Sequence, residues 1–375
     1  MRHSVNHSDS TQPQTVILHD YFAIRGGGER LVLSLADDLG AALAYGYRTD
    51  DTYERGYFPA VQRNLNISPL WRRSGLRAVA LATAFSGIRE WAAKFPVRIY
   101  SGVTAPFAAP VAGNNGVNIF YCHTPPRFLF DQRSYFEAQQ HPVGRLLSRP
   151  VLSRYEKAFR LALDRMDHIV TNSENTQKRI EKYLKRKSTI IYPPCDTDKF
   201  SWLSQGDYYL STARLTGLKR VDKIIEAFLQ MPDKRLVVVS GGDEFEKLRK
   251  KADGARNIEF LGFVSEDQLR EVVGRAIATI YIPCDEDFGM SPVESMAAGK
   301  PVIGVAEGGL LETVVPGETG FLVPAAFSIN DIIEAVHSLT PEVAGAMRDN
   351  CETRAQLFSR EKFLARMRAL VSELR

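Results

Sequence analysis

Seven residues separate two carboxylates, Glu286 and Glu294, in the segment EDFGMSPVE. Ionised carboxylates accept paired hydrogen bonds from hydroxyl groups, so the two side chains suit the recognition of a sugar. The backbone N–H groups of residues 288–290 could then face a bound anion. A second interpretation assigns these residues to the start of a helix, with no role in binding. Ser291, Pro292 and Glu294 fit the N-cap, first-turn proline and N3 glutamate of a helix, in which Glu294 closes a capping box.

Two basic residues, Arg214 and Lys219, follow a predicted strand in the segment STARLTGLKRVD. The carboxyl ends of parallel strands are the edge at which open α/β sheets bind ligands. A guanidinium and an ammonium at that edge could neutralise a diphosphate leaving group. The alternative for two basic residues in a loop is ordinary solvated surface charge.

A glycine run and a histidine follow strands of the first half of the chain. Gly26, Gly27 and Gly28 come after a predicted strand over 15–20 and open a predicted helix, whose free N–H groups could bind an anion. The run lacks the patterns GxGxxG and GK[ST], so a simple turn explains it equally well. His123 ends the strand predicted over 117–122; a lone histidine is usually structural, although its place at a strand end favours a ligand.

Several classes of protein lack support in the sequence. It contains no HExxH, catalytic GxSxG or close His/Asp cluster, which argues against a metalloprotease or a serine hydrolase. The four cysteines are far apart and form no CxxC pair, so they suggest neither a zinc cluster nor a disulfide framework, and a reducing cytosol fits best. Residues 1–14 are polar and lack the apolar core of an export signal. No apolar stretch reaches the ~20 residues that cross a bilayer.

Apolar strands alternate with helical segments along the chain, which predicts a doubly wound α/β protein with parallel sheets. A chain of 375 residues also predicts two domains with a cleft between them. We place the boundary near the proline-rich stretch YPPCDTDKF, which gives a domain at 1–198 and a domain at 199–359, with the C-terminal helix 360–375 packing back on the first. Nine predicted elements of the second domain are strands 208–213, 235–240, 258–261, 277–282 and 301–305, and helices at about 219–231, 243–252, 265–274 and 292–299.

Residues 69–98 carry six Arg or Lys side chains against one acid, with aromatic and aliphatic residues between them. Such a basic amphipathic helical segment is typical of proteins that lie on an anionic membrane surface. A helix that faces the core and leaves a basic side in solvent is the alternative. Residues 1–200 as a whole carry a formal charge of +9, from 27 Lys and Arg against 18 Asp and Glu, which also suits an anionic partner.

Seven motifs in order, from about residue 15 to 325, resemble the retaining glycosyltransferases of family 4, which have the GT-B fold of two Rossmann-like domains facing a cleft. The motifs are HDYF...GGGERLVL, YCHTPPRFLFD, TNSENTQKRI, YPPCDTDKF, STARLTGLKRVD, LGFV and EDFGMSPVESMAAGKPVIG. They look most like the bacterial mannosyltransferases that build O-antigen and exopolysaccharide units.

The resemblance implies a role for each candidate residue. Glu286 would bind the donor hexose and Glu294 the ribose, while Arg214 and Lys219 would bind the diphosphate. His123 would lie near the hexose. Gly26 and Gly27 would face the phosphates, although Gly28 stands where alanine is more usual. The remaining donor contacts implied are the backbone around Phe263, near the base, and Phe288, Gly289 and Met290, near the sugar phosphate.

The implied reaction is transfer of a hexose, most simply mannose from GDP-mannose, with retention at the anomeric carbon. No metal or cofactor is expected. Because no carboxylate is placed as a nucleophile, front-face attack is favoured, with the leaving phosphate accepting the proton of the acceptor. The implied partners are a nucleotide sugar, a polyprenyl-diphosphate-linked saccharide and, through residues 69–98, the inner face of the plasma membrane, with no nucleic acid. The expected location is the cytoplasm.

Three alternatives remain at this stage. The donor could be UDP-glucose, UDP-galactose or another UDP-hexose. A UDP-sugar 2-epimerase would have the same architecture, but the E-x7-E spacing and the segment 69–98 argue against it. A sugar- or lipid-binding protein that has lost catalysis would be expected to lack Glu286, Arg214 or Lys219, and all three are present.

Overall fold

A computed structural model describes residues 12–50, 52–73, 76–111, 115–138 and 141–375 of the chain. Most of the polar segment 1–14, and two residues of the segment 69–98, therefore lie outside the described residues. The chain divides into two compact units. The first comprises the chain up to Thr171, Arg179–Thr189 and Met367–Arg375, and the second comprises Asn172–Lys178 and Ile190–Arg366.

The first unit is built on a seven-stranded sheet with the order β3-β2-β1-β4-β5-β6-β7, in which the neighbouring strands from β3 to β6 pair in parallel. Central strands such as β1 and β4 are buried along their whole length, as expected for a parallel sheet covered on both faces. The strands are β1 (Thr15–His19), β2 (Ala42–Tyr45), β3 (Gln62–Asn64), β4 (Val97–Ser101), β5 (Val117–Cys122), β6 (His168–Thr171) and β7 (Thr189–Ile190).

The second unit is built on a six-stranded parallel sheet with the order β10-β9-β8-β11-β12-β13. Its strands are β8 (Tyr208–Ser211), β9 (Arg235–Val239), β10 (Ile258–Gly262), β11 (Thr279–Tyr281), β12 (Val302–Val305) and β13 (Gly320–Val323). One cluster of buried aliphatic and aromatic side chains joins these strands to the helices that cover them. The prediction of two doubly wound α/β sheets is confirmed.

The helices follow the strands in the alternation that parallel sheets require. Those of the first half are α1 (Gly27–Asp38), α2 (Arg77–Ser86), α3 (Arg89–Ala92), α4 (Arg133–Ala138), α5 (Pro142–Leu163) and α6 (Glu174–Arg179). Those of the second half are α7 (Val221–Leu229), α8 (Phe245–Lys251), α9 (Glu266–Arg275), α10 (Met290–Ala297), α11 (Leu310–Thr313), α12 (Ile329–Ser338), α13 (Pro341–Ala346), α14 (Arg348–Ala355) and α15 (Arg360–Leu374). None of the helices in the described ranges is long and apolar enough to cross a membrane.

The chain passes between the units more often than a single boundary near residue 198 implies. Residues 172–178 group with the second unit although the chain on either side groups with the first, and the later passage falls between Thr189 and Ile190. The last helix, α15, is also divided: Met367–Arg375 groups with the first unit and the preceding turns with the second. Arg368, near the end of α15, donates to Asp38 of α1 at 2.5 Å.

The segment 69–98 is not one helical region. It comprises a 3₁₀ turn (Pro69–Arg72), the helices α2 and α3, and the first two residues of β4. Arg98, in β4, is completely buried and donates to Asn118 Oδ1 at 2.7 Å, so it presents no charge to a membrane. Trp71 remains about half exposed, at 54%, and Arg73 is exposed. The first turns of the segment therefore keep the features that suggested a membrane surface.

Candidate active site

The candidate residues of the second unit lie where its strand order changes direction. β9 and β10 lie on one side of β8, and β11 lies on the other. Loops that leave the carboxyl ends of two such strands diverge, and the crevice between them is the usual ligand site of an open α/β sheet. Lys219 follows β8 and Glu286 follows β11, so the two residues stand on either side of this switch point.

Lys219 and Glu286 form an ion pair across the switch point. The ammonium group of Lys219 contacts Glu286 Oε2 and donates to the hydroxyl of Tyr281 at 2.9 Å. Burial and the charge of Glu286 raise the pKa of Tyr281 well above its usual value, so its hydroxyl stays neutral and can accept from the lysine. The side chains of the ion pair are 24% and 21% exposed, so a ligand could reach both.

The loop that carries Glu286 rests on two glycines that follow β12. A Cβ at Gly308 would lie 2.4 Å from the carbonyl oxygen of Glu286, and one at Gly309 would lie 2.4 Å from Cα of Phe288. The Glu286 carbonyl also accepts from the backbone N–H of Gly309 and from Nδ2 of Asn175, both at 2.9 Å. These contacts fix the backbone from which the Glu286 carboxylate projects.

Arg220 fastens the same region from the other side. Its backbone is left-handed, with φ of 52°, a conformation that costs free energy for any residue other than glycine. Its guanidinium donates to the carbonyl of Pro283 at 2.6 Å and to Glu307 at 2.7 Å, and Glu307 also accepts from the backbone N–H of Asp285. These charge-assisted bonds offset the backbone cost and tie the loop after β8 to the loops after β11 and β12.

The predicted N-cap at Ser291 is wrong. The helix α10 begins at Met290, and its N-cap is Gly289, which has φ of 92° and ψ of 75°. Glu294 is therefore in the second turn rather than at N3, and it does not close a capping box. The side chain of Phe288 is buried against Tyr192 and Phe358, so its backbone, not its ring, is available to a ligand.

Arg214 and Phe263 are both exposed at the same edge of the sheet. Within the part of the chain that the structure describes, the side chain of Arg214 has no hydrogen bond or ion pair. The ring of Phe263, just after β10, is 85% exposed and covers Gly241, at which a Cβ would lie 2.4 Å from the ring. Four features therefore follow one another along this edge, from β10 to β12: the ring of Phe263, Arg214, the Lys219–Glu286 pair and the Gly-Gly turn.

In the first unit a serine joins two histidines at the ends of three adjacent strands. Ser101 Oγ, on β4, lies 2.8 Å from Nε2 of His123 and 3.0 Å from Nδ1 of His19. Burial lowers the pKa of His123 to about 4, and burial with the neighbouring His123 lowers that of His19 to about 3. Both imidazoles are therefore neutral at physiological pH. This edge is also a switch point, because β1 lies between β2 and β4.

A buried carboxylate, Asp20, holds the loop after β4 beside these histidines. Its oxygens accept from the backbone N–H groups of Val103, Thr104 and Ala105 at 2.8–2.9 Å. Burial raises the pKa of Asp20, and these hydrogen bonds oppose that shift. Gly102, with φ of 107°, is required here because a Cβ would lie 2.4 Å from the Asp20 carboxyl carbon.

The glycine run opens α1 as predicted from the sequence. Gly26 is the N-cap and Gly27 the first helical residue. A Cβ at Gly28 would lie 3.5 Å from the ring of His123, an ordinary contact distance, so alanine would fit at this position. The structure thus brings Gly28 and His123 together within the first unit, and Lys219 and Glu286 together within the second.

Sequence reasoning missed several residues that shape these sites, among them Asn175, Ser101, Glu307 and Tyr281. A usable signal was present for Glu307, because the Gly-Gly pair that follows it after a strand indicates a close backbone approach. In the described residues no three His, Cys, Asp or Glu side chains are grouped so that they could hold a metal ion.

Two family models match successive parts of the chain. Residues 25–199 match Glycosyltransferase Family 4, and residues 194–357 match Glycosyl transferases group 1. The chain is 26% identical over 441 residues to the alpha-1,3/1,6-mannosyltransferase ALG2 of Dictyostelium discoideum, covering 98% of this chain and 99% of that protein. The human ALG2 protein is also 26% identical, over 422 residues, covering 97% and 96%.

Solved structures share the fold at lower identity. The sucrose-phosphate synthase of Thermosynechococcus elongatus superposes with a TM-score of 0.75 at 20% identity, covering 96% of this chain and 99% of that one. HepE of Anabaena, solved with UDP and glucose, gives 0.72 at 17%, covering 96% and 99%. The chain is a glycosyltransferase of GT-B fold. More particularly, it combines a GT4-type domain in its first half with a group 1 domain in its second.

Proposed function

We propose that this glycosyltransferase transfers mannose from GDP-mannose, with retention, to a lipid-linked saccharide in the synthesis of a bacterial surface polysaccharide. Support comes from the relatives whose names describe mannosyl transfer. A mouse relative, 27% identical over 52% of this chain and 46% of its own length, is named GDP-Man:Man(3)GlcNAc(2)-PP-Dol alpha-1,2-mannosyltransferase. That name combines the proposed donor with a lipid diphosphate acceptor.

The observation that carries the proposal is the ion pair of Lys219 with Glu286. In the free protein each charge compensates the other. We assign Lys219, with the exposed Arg214, to the donor diphosphate, and Glu286 to the hydroxyl groups of the hexose. As the sugar–phosphate bond breaks, negative charge develops on the leaving phosphate, and the two cations stabilise it. The fixed loop backbone keeps these groups in position before the donor arrives.

The remaining assignments follow the same division. Glu294 is assigned to the ribose, the backbone of Phe288, Gly289 and Met290 to the sugar phosphate, and the backbone near Phe263 to the base. In the first unit, Gly26 and Gly27 are assigned to the phosphates. The neutral imidazole of His123 is assigned to the hexose as a hydrogen-bonding group rather than as a cation. Attack from the front face, with the leaving phosphate taking the proton of the acceptor, requires no nucleophilic carboxylate.

Calorimetric titration with GDP, UDP and ADP, and then with the matching sugar nucleotides, tests the donor. We expect GDP and GDP-mannose to bind most tightly. Lys219→Ala should lose affinity for GDP, whereas Glu286→Ala should lose transfer but keep affinity for GDP. Lys223→Ala is a matched control, since Lys223 lies one turn further on and pairs with Glu226. We expect transfer to survive treatment with EDTA.

Preference for UDP would overturn the mannosyl donor and leave the glycosyltransferase fold in place. Conversion of a UDP-sugar without an acceptor would favour the epimerase. Near wild-type turnover of Lys219→Ala or Glu286→Ala would show that the site lies elsewhere.

A peripheral position on the inner face of the plasma membrane is the second part of the proposal. The turn that precedes α2 keeps Leu70 and Trp71 exposed, at 65% and 54%, next to the exposed Arg73. Apolar and aromatic side chains next to basic ones bind the interface of an anionic bilayer. Such a position would bring the enzyme to a lipid-linked acceptor.

A further inference from the structure

A groove of about 420 Å³ runs between α2 and α5 of the first unit, outside the residues assigned to the reaction. Both helices pack on the 3₁₀ turn Ala105–Ala108, and the groove lies between them. Its floor includes the buried rings of Phe107 and Tyr155. A volume of this size is within the range of small-molecule sites, ~300–1,000 Å³.

The walls of the groove are apolar and open to solvent. Val79 of α2 is 40% exposed, and Val151 and Leu161 of α5 are 44% and 54% exposed. Ala158, one turn before Leu161, is also exposed and lines the groove. Exposed apolar side chains that line one concave surface indicate a ligand rather than chance exposure.

The charged side chains that line the groove are all basic, and its other polar residues, Thr83 and Ser86, are neutral. Arg89, Arg154 and Arg165 line it, and none of the residues that line it is acidic. Burial and the nearby Arg165 lower the pKa of Arg89, so two of these guanidinium groups lie near each other. Arg89 and Arg165 donate to backbone carbonyls at 3.0 and 3.1 Å. Arg154 is exposed and, within the described residues, has no hydrogen bond or ion pair.

We propose that this groove binds one anionic phospholipid, with an acyl chain on the apolar floor and the phosphate among the three arginines. Charge complementarity selects this occupant, because a groove with three cations and no acid disfavours a cationic partner, suits a zwitterionic one less well, and suits the phosphate of an anionic lipid. The aliphatic walls suit a chain and not a headgroup alone. Part of the groove is formed by the segment 69–98, so the inference rests on the proposed membrane association and gives it a specific site for a single lipid.

Titration of the full chain with diheptanoylphosphatidylglycerol, below its micelle concentration, tests the proposal and does not depend on the donor or on transfer. We expect one molecule to bind. We expect the phosphatidylcholine of the same chain length to bind at least about tenfold more weakly, and glycerol 3-phosphate not to bind measurably. Equal affinity for the two lipids would overturn the role of the arginines, and binding of glycerol 3-phosphate alone would overturn the role of the groove.

Two variants separate the chain from the phosphate. Ala158→Trp should fill the groove without changing charge and abolish binding, and Arg154→Glu should weaken it at least about tenfold. Lys187→Glu, an exposed charge reversal outside the groove, should leave binding unchanged. Melting temperatures within a few degrees of the parent would exclude misfolding. Binding that survives Ala158→Trp, or dimerisation that this variant abolishes, would overturn the proposal in favour of another lipid site or of a second copy of the chain.

Discussion

At the scale of single residues, the lowered pKa values of the buried histidines in the first unit make the free energy of unfolding depend on pH. The pKa of His123 is about 4 in the folded protein, against an ordinary value of 6.5. Between these values the unfolded chain binds a proton that the folded one does not, so acid destabilises the fold over this range. The free energy of unfolding should fall by up to ~1.4 kcal/mol per pH unit for this group.

Urea unfolding at about pH 7, 6 and 5 measures this dependence. His123→Gln should keep a hydrogen-bonding partner for Ser101 and reduce the slope, while His337→Gln, at an exposed position, should leave it unchanged. An identical slope in the His123 variant would show that the pKa of this imidazole is the same in the folded and unfolded states. If His123 acts on the donor as a neutral group, kcat/KM should also stay flat from about pH 5.5 to 8.

Residue identity alone predicted which groups are present but not how they are connected. The spacing of Ser291, Pro292 and Glu294 fitted a capping box, yet the helix starts earlier because Gly289 adopts the left-handed N-cap. Nothing in the sequence indicated that Ser101 bridges two histidines, since β4 had not been predicted and the three residues come together only through parallel pairing of β1, β4 and β5.

At the scale of elements, the short segment Asn172–Lys178 has a role that its sequence did not show. It groups with the second unit, where the Glu312 carboxylate accepts from the backbone N–H groups of Glu174 and Asn175 at 2.6 and 2.9 Å. Burial raises the pKa of Glu312, and these two bonds oppose that shift. The segment so fixed directs Nδ2 of Asn175 to the carbonyl of Glu286.

Asn175→Ala should therefore weaken binding of the complete donor more than binding of the nucleotide alone. One hydrogen bond contributes about 0.5–1.5 kcal/mol, which corresponds to roughly a twofold to tenfold loss of affinity for GDP-mannose. Affinity for GDP should change little, because Glu286 is assigned to the hexose. Glu174→Ala is the control, since it keeps the backbone N–H that binds Glu312. Equal losses for GDP and GDP-mannose would contradict a role for Asn175 in placing Glu286.

The elements that the sequence predicted well are those whose own pattern is unambiguous. β5 agrees with its prediction at both ends, and the second sheet was predicted strand by strand except for β13. Two of the missed strands, β2 and β3, carry weaker patterns. β2 reads ALAY, which is also compatible with a helix, and β3 reads QRN, which is polar and exposed because it lies at the sheet edge. Only pairing with a neighbouring strand makes such segments extended.

At the scale of the whole molecule, charge is divided unequally along the chain. Residues 1–200 carry +9, and residues 201–375 carry −5, from 21 Lys and Arg against 26 Asp and Glu. The exposed basic and aromatic residues before α2 and the arginines of the α2–α5 groove all belong to the basic half. Attraction to an anionic bilayer should therefore act on the first half and should weaken as salt screens it.

Co-sedimentation with vesicles of phosphatidylcholine and phosphatidylglycerol at about 3:1 measures this attraction. Arg73 is the basic residue to change, because Arg72 and Arg77 also stack on Tyr47 and Tyr21 and their loss would disturb the fold. Reversing one charge near a bilayer should cost about 2 kcal/mol, at about 1 kcal/mol per charge, so Arg73→Glu with Trp71→Ser should reduce binding at least about tenfold.

Lys187→Glu with Tyr57→Ser, also at exposed positions of the first unit, is the matched control. Equal sedimentation of both double variants would place the membrane surface outside residues 69–98, and equal binding to pure phosphatidylcholine would remove the electrostatic argument.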